Sequence, residues 1–220
     1  ILVGDSMANV LYGHKDTHKI NIENIALHAL SVRKGVKKSL LVVDLPKGTY
    51  NNTRDAFKNA KMIIKKTKCD AVKLESNQKN YEIIEYLVNK KIPVMGHVGY
   101  TPQFKKKFQI EGQSKKEAAK LLKEALLIEK AGAFSIVLEC LSPNAAKLIT
   151  NKIQIPTIGI GSSLHCDGQI LVTDDMLGLS GFYPKFVKKY LDLEKILGKS
   201  IKKFRDDVRV GNFPKLNNTY

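Results

Sequence analysis

Residues Leu40–Asp44 read LLVVD, a short apolar run that ends in a carboxylate. The same arrangement occurs at Ile1–Asp5 (ILVGD), Ala71–Glu75 (AVKLE) and Ile136–Glu139 (IVLE). Short apolar runs rich in β-branched residues indicate buried strands. In a (β/α)8 barrel the chemistry lies on the face where the strands end, and its residues come from several different strands. The pattern therefore predicts that these acidic residues meet at one end of a barrel.

Apolar runs alternate with amphipathic stretches along the rest of the chain. Helical spacing of apolar residues behind a capping residue predicts helices at 22–34, 53–67, 81–90 and 114–131. We predict strands at 1–4, 39–45, 70–75, 92–97, 134–139 and 155–160, with a weaker seventh near 176–180. Strands that alternate with helices favour parallel βαβ units, so the predicted class is α/β.

The predicted architecture is one (β/α)8 TIM barrel domain over residues 1–220, with a helical C-terminal end at about 183–210. Asp167–Gln169 is predicted as a turn. Because a closed barrel has eight strands, we expect the first strand and its helix to lie upstream of Ile1. A barrel that lacked a strand would expose the hydrogen-bonding edges of its neighbours.

The composition limits the classes of partner. The chain carries 37 Lys and Arg against 21 Asp and Glu, which gives a net charge of +16. The lysines are scattered, and the sequence has no Trp and no interleaving of aromatic and basic residues. This distribution favours a solvated surface over a nucleic-acid interface, and a barrel that binds polyanions stays an alternative. Three widely spaced cysteines and the lack of an apolar stretch of roughly 20 residues predict a cytoplasmic protein without a membrane span.

Two aspartates follow neighbouring predicted strands. Asp5 and Asp44 at adjacent strand ends would form an oxygen site suited to Mg²⁺, which binds one or two carboxylates together with substrate oxygens and water. We expect both aspartates to hold the metal and, through it, the substrate. Ser6 is expected to hold a substrate carboxylate. The alternatives are a helix N-cap for Asp5 and Ser6, and a turn residue before Pro46 for Asp44.

Three further predicted strands contribute charged or ionisable residues. Lys73 and Glu75 are two residues apart on one strand and therefore point to the same face. We expect Lys73 to bind the negative charge of a substrate and Glu75 to bind the metal or its waters, the alternative being a structural ion pair. His97 is a candidate donor to an oxyanion, or an indirect partner of the site, or a structural histidine. Glu139 is a candidate general base, the alternative being a structural acid.

Eight motifs occur in an order and approximate spacing that resemble the ketopantoate hydroxymethyltransferase (3-methyl-2-oxobutanoate hydroxymethyltransferase) family. The resemblance runs from Ile1 to about Pro214. The motifs are Val3–Ser6, Gly13–His14, Asp44–Pro46, Val72–Glu75, Gly96–Gln103, Leu138–Cys140, Ile158–Gly161 and Asp167–Val172.

The resemblance implies a (β/α)8 barrel of the phosphoenolpyruvate/pyruvate type. It implies transfer of a hydroxymethyl group from 5,10-methylenetetrahydrofolate to 2-oxoisovalerate, giving ketopantoate for pantothenate biosynthesis through a Mg²⁺-stabilised enolate. It also implies a homodecamer that binds no nucleic acid and no membrane. By position it assigns the metal to Asp5 and Asp44 with Glu75, the ketoacid to Ser6 and Lys73, and the role of base to Glu139.

Two alternatives stay open at this point. A carbon–carbon lyase of the isocitrate lyase type would use the same metal–enolate chemistry on the same barrel. A non-catalytic barrel that binds polyanions would use the positive charge instead. From its charge alone, the loop segment Lys105–Lys107 is predicted to contact the glutamate carboxylates of the folate.

Overall fold

The structure is a computed structural model that describes residues 1–76 and 80–220. The chain divides into two compact units, Ile1–Ile170 and Leu171–Tyr220. The strands found in the described residues form one sheet in the first unit, in the order of the sequence, and every pairing is parallel. They are β1 (Leu2–Val3), β2 (Val42–Asp44), β3 (Ala71–Lys73), β4 (Val94–Gly99), β5 (Ser135–Glu139), β6 (Thr157–Ile160) and β7 (Gly168–Gln169).

Helices connect successive strands from β1 to β6, as is usual for parallel pairing, and residues 161–167 join β6 to β7 without a helix. In the first unit they are α1 (Met7–Val10), α2 (Ile22–Gly35), α3 (Thr53–Thr67), α4 (Tyr81–Asn89), α5 (Lys115–Lys130) and α6 (Pro143–Thr150). Capping residues define several of their first turns: the side chains of Asn21, Asn52, Ser114 and Ser142 each accept a hydrogen bond from a backbone N–H in the first turn. The four predicted helices of this unit are confirmed to within one residue at each end.

The pairing register brings the predicted site residues to one edge of the sheet. Asp44 at the end of β2 is the register partner of Lys73 at the end of β3. Gly99 at the end of β4 is the partner of Glu139 at the end of β5. Every residue of β2, β3 and β4 is buried, which explains why their sequences are apolar nearly throughout.

The last predicted strand and the predicted turn near it were wrong. Residues near 176–180 are not a strand: Thr173–Leu177 forms helix α7, which ends at Gly178 with a φ of 76°. The seventh strand is instead β7, where Gly168 pairs with Ile158 inside the segment predicted as a turn. Asp167 positions it, because its Oδ2 accepts hydrogen bonds from the backbone N and the hydroxyl of Thr157 at 2.8 and 2.9 Å.

The second unit contains α7 and the longer helix α8 (Leu193–Arg209). Helix α8 starts at Leu193, about ten residues later than the predicted start of the helical end at 183. The prediction that 1–220 is a single domain stays a prediction. Within the described residues, no helix is both long and apolar enough to cross a bilayer. Cys69, Cys140 and Cys166 are free and buried.

Candidate active site

A buried ion pair lies at the carboxyl ends of β2 and β3. Lys73 Nζ donates a hydrogen bond to Asp44 Oδ1 at 2.7 Å, and the two side chains are 6% and 4% exposed. The second oxygen of the same carboxylate, Asp44 Oδ2, accepts from the backbone N of Asp5 at 3.0 Å. Asp5, Asp44 and Lys73, predicted from three separate strand ends, are therefore neighbours.

Ser6 lies beside this pair. A methyl group on Gly4 would lie 3.3 Å from Ser6 Oγ and 3.4 Å from Asp44 Oδ2, so both oxygens line the same side of Gly4. Ser6 precedes α1, but its side chain makes no capping hydrogen bond there. Its hydroxyl is thus placed next to the carboxylates and is not used as a helix cap.

Glu75 is held by the loop that follows β4. Its Oε2 accepts a hydrogen bond from the backbone N of Gln103 at 2.9 Å, and its backbone carbonyl accepts from Asn80 Nδ2 at 2.7 Å. Its Oε1 lies 3.8 Å from His97 Nδ1. Glu75 is 1% exposed, so its carboxylate is fixed inside the protein.

His97 lies between two glutamates. Its Nε2 is 3.3 Å from Glu139 Oε2, on the side of the ring opposite Glu75. Neither ring nitrogen has a partner with good hydrogen-bond geometry among the described residues. Glu139 is the accessible member of the group, because its side chain is 23% exposed and that of His97 is 1% exposed.

Gly99 is required where it faces Glu139. Its φ is 103°, and a methyl group at this position would overlap the carbonyl oxygen of Glu139. The next residue, Tyr100, donates its backbone N–H to that carbonyl at 2.9 Å. The close approach of β4 to β5 therefore fixes the backbone that carries the candidate base.

The electrostatics of the group follow from burying several carboxylates around one ammonium. Burial and the neighbouring Asp44 raise the pKa of Asp5 to about 7, against the lowering effect of Lys73 and Gln103. Burial raises the pKa of Glu75 well above its usual value. Burial alone would lower the pKa of Lys73, but Asp44, Glu75 and Asp5 together raise it above its usual value. Burial also lowers the pKa of His97, which keeps its ring neutral at pH 7.

The donor set fits a divalent cation held by two aspartates. Asp5, Asp44 and Glu75 are buried with Lys73, so the ionised group carries two uncompensated negative charges. Charges of this kind are costly inside a protein unless a cation or a proton compensates them. Among the described residues, no three His, Cys, Asp or Glu side chains converge as one metal-binding group. Two aspartates nevertheless match the usual protein share of a Mg²⁺ site, and the roles of the three carboxylates stay predictions.

Gln103 and Tyr50 were missed as site residues by the sequence reasoning. Gln103 is 1% exposed and its Nε2 donates to Asp5 Oδ2 at 2.9 Å. Tyr50 OH donates to Gln103 Oε1 at 2.5 Å. The sequence did contain one indication of Gln103: it is the last residue of the Gly96–Gln103 motif, which continues past the end of β4.

Comparison with known proteins shows the family and the fold. The family model described as ketopantoate hydroxymethyltransferase matches residues 1–216. The 3-methyl-2-oxobutanoate hydroxymethyltransferase of Pelagibacter ubique (strain HTCC1062) is 49% identical over 220 residues, which cover 100% of this chain and 86% of that protein.

Two solved structures share the fold at low sequence identity. A 2,3-dimethylmalate lyase of the PEP mutase/isocitrate lyase superfamily has a TM-score of 0.58 and 12% identity, covering 94% of this chain and 74% of its own. A phosphonopyruvate hydrolase in complex with oxalate and Mg²⁺ has a TM-score of 0.59 and 12% identity, covering 99% and 80%. These likenesses confirm the predicted TIM-barrel class of α/β fold. The sequence matches confirm the resemblance and the prediction of a transferase enzyme: the chain belongs to the ketopantoate hydroxymethyltransferase family.

Proposed function

We propose that this enzyme transfers a hydroxymethyl group from 5,10-methylenetetrahydrofolate to 2-oxoisovalerate, giving ketopantoate in pantothenate biosynthesis. The observation that carries the proposal is the buried group of Asp5, Asp44, Lys73 and Glu75 at one sheet edge, with the more exposed Glu139 beside it. Family membership supports the same reaction.

The ketoacid requires a cationic or hydrogen-bonding partner for its carboxylate. Lys73 supplies a fixed ammonium, since its 2.7 Å bond to Asp44 leaves other N–H donors of the same group available. The hydroxyl of Ser6 supplies a neutral donor next to Asp44 Oδ2. Both groups are set in place before the substrate arrives, which lowers the entropy cost of orienting it.

Mg²⁺ is part of the proposal, with Asp5 and Asp44 as its protein ligands and Glu75 close to it. When bound, the ion would supply a Lewis acid that withdraws electrons from the keto group and so favours loss of the neighbouring proton. The phosphonopyruvate hydrolase of the same fold was solved with oxalate and Mg²⁺. In this chain the support for a bound cation is the excess of negative charge: three carboxylates are buried with only one ammonium.

Glu139 is proposed as the base that removes the proton from the carbon next to the ketone. It is the accessible carboxylate of the group, and His97 Nε2 lies 3.3 Å from its Oε2. Because the lowered pKa of His97 leaves the ring neutral, the histidine lies beside Glu139 without neutralising it. Water adds to the methylene carbon delivered by the folate, both of its carbon–nitrogen bonds break, and tetrahydrofolate leaves with the two protons of the water. The deprotonated substrate then forms the new carbon–carbon bond to the released one-carbon unit, and the oxygen that came from water takes the proton held by Glu139 and becomes the hydroxyl.

Exchange of deuterium into 2-oxoisovalerate tests the proposal without requiring folate. We expect exchange at the carbon next to the ketone, followed by NMR, to depend on Mg²⁺ and on Glu139. Conversion of 2-oxoisovalerate with methylenetetrahydrofolate should then occur, and cleavage of 2-methylisocitrate should not. Folded protein that shows neither exchange nor transfer, but binds nucleic acid in a salt-sensitive way, would support the polyanion-binding alternative instead.

The proposal also includes a cytoplasmic homodecamer that takes two small-molecule substrates and binds neither nucleic acid nor membranes. Family membership and the scattered positions of the lysines support this part of the proposal. Light scattering coupled to size-exclusion chromatography measures the particle mass, and a monomeric active enzyme would contradict the assembly.

A further inference from the structure

Gln103 links the ends of four consecutive strands. It lies four residues after β4, yet its side chain and backbone reach residues that follow β1, β2 and β3. Its Nε2 donates to Asp5 Oδ2 at 2.9 Å and to the carbonyl of Leu45 at 3.1 Å. Its backbone N donates to Glu75 Oε2 at 2.9 Å. One residue therefore contacts two of the three predicted metal carboxylates.

The hydrogen bonds of Gln103 fix the orientation of its amide. Two groups lie near Nε2: the Leu45 carbonyl can only accept, and the Asp5 carboxylate accepts when it is ionised. The group near Oε1 is the hydroxyl of Tyr50, which donates at 2.5 Å. A flipped amide would place its oxygen against two acceptors and its nitrogen against the hydroxyl. The Leu45 carbonyl, which cannot donate, thus excludes the flipped amide, and the hydrogen bond from Tyr50 further stabilises the orientation in which Gln103 donates to Asp5.

We propose that Gln103, oriented by Tyr50, is a positioning residue that holds Asp5 and Glu75 in the geometry that binds the divalent metal. This role rests on the proposed function, because it requires the metal site described there. Gln103 touches neither the substrate nor the metal in this proposal; it acts through the two carboxylates. Outer partners of this kind typically contribute about 10- to 100-fold to metal affinity.

A purely structural role makes a different prediction. Gln103 and Tyr50 are 1% and 4% exposed, so any substitution will alter packing and stability to some degree. A packing role would lower the melting temperature without selectively weakening metal binding. The test must therefore compare metal affinity with stability, and it needs a control that loses a buried hydrogen bond elsewhere.

Gln103→Met is the sharpest variant, because it keeps the length of the side chain and removes its hydrogen bonds without adding a charge beside the carboxylates. Gln103→Leu removes all three side-chain hydrogen bonds, to Asp5, to Leu45 and from Tyr50, and keeps the backbone bond to Glu75. Tyr50→Phe keeps the ring and removes only the orienting hydroxyl. The control is Thr67→Val. Thr67 is fully buried, and its hydroxyl donates to the Ile63 carbonyl at 2.8 Å. Because Thr67 precedes β3 in the chain, it lies at the edge of the sheet opposite the site.

Mn²⁺ affinity, measured on each variant of the 1–220 chain from the electron paramagnetic resonance signal of the free ion, is the primary readout. We expect Gln103→Met and Gln103→Leu to weaken Mn²⁺ binding by about 10- to 100-fold, and Thr67→Val to leave it within about 3-fold. Tyr50→Phe should weaken it by roughly 3- to 10-fold, and its effect should not add to that of Gln103→Leu. The melting temperature of each variant measures how much stability the substitution costs.

Each outcome decides the question. Mn²⁺ affinity unchanged in folded Gln103 variants would overturn the positioning role and leave the proposed function intact. If the Gln103 variants do not fold, Tyr50→Phe decides: wild-type affinity in that variant would overturn the role of the pair. Wild-type protein that binds no Mn²⁺ would overturn the proposed metal site and, with it, this role of Gln103.

Discussion

Replacing Lys73 with Met should leave the site with carboxylates and no protein counter-charge. Met retains most of the apolar stem of Lys73 but removes the ammonium that donates to Asp44 Oδ1 at 2.7 Å. Both side chains of this pair are at most 6% exposed, so water cannot replace the lost ammonium. Breaking a buried ion pair by removing one partner costs about 3–5 kcal/mol. We expect the free energy of unfolding of Lys73→Met, in the presence of a chelator at pH 7, to fall by this amount.

The loss should grow as the pH rises. Lys73 lowers the pKa of Asp5, which is nevertheless raised to about 7 from its ordinary 3.8. Without Lys73 the pKa of Asp5 rises further, so the folded variant keeps a proton above pH 7 that the unfolded chain has already released. Stability falls with pH wherever the folded state binds more protons than the unfolded state, by up to about 1.4 kcal/mol per pH unit for one proton. Between pH 7 and pH 8 the variant should lose more stability than the wild type.

Urea unfolding followed by circular dichroism measures both effects. Lys105→Met is a matched control, because Lys105 Nζ also lies 2.7 Å from a carboxylate, Glu111 Oε1, but its side chain is 37% exposed. Exposed pairs contribute about 0–1 kcal/mol, so the control should unfold close to the wild type. A Lys73→Met protein within about 1 kcal/mol of the wild type at both pH values would refute the reasoning.

Three further predictions concern the base, the lysine loop and β7. Glu139→Gln should slow deuterium exchange into 2-oxoisovalerate by about 10²–10⁴-fold while Mn²⁺ affinity is kept; unchanged exchange by NMR would show that another group is the base. Replacing both Lys106 and Lys107 with Ala should raise the KM for a polyglutamylated folate at low salt, and an unchanged KM in steady-state kinetics would exclude contact with the folate tail. Asp167→Asn should cost about 1 kcal/mol at pH 7, because it weakens the bonds from Thr157. Since those bonds lower the pKa of Asp167, its contribution is present above the ordinary pKa of 3.8 and is lost as the pH falls through the lower folded value, so denaturation at pH 3 should show a smaller difference.

The carboxylates were predictable because short apolar runs, and their alternation with helices, are visible in the local sequence. Apolar runs marked the strands, and parallel pairing placed Asp44, Lys73 and Glu139 at one edge without any knowledge of long-range contacts. Their predicted chemical roles, by contrast, stay predictions, since position alone does not assign a proton or a metal.

The remaining features depend on contacts that periodicity does not encode. Gln103 meets Asp5 across 98 residues of sequence through a hydrogen bond, and no apolar pattern marks such a bond. The strand β7 was read as a turn because two residues are too short to show alternation. The segment at 176–180 was read as a strand from its apolar residues, but Thr173–Leu177 forms a short helix with Asp174 and Asp175 in its first turn, and Gly178 in the left-handed conformation ends it.

The bonds of Gln103 have a consequence for anyone who wishes to move this chemistry to another scaffold. Asp5, Leu45 and Glu75 belong to different crossovers, and a one-residue slip in any strand would turn the corresponding group away. If one loop or one β–α unit were moved alone, the polar atoms of Gln103 would lose their partners on the other units and would be buried without hydrogen bonds. The smallest part of the site that could be moved to another protein is the set of four neighbouring strand ends. Redesign of this enzyme is therefore best directed at the loops around those strand ends.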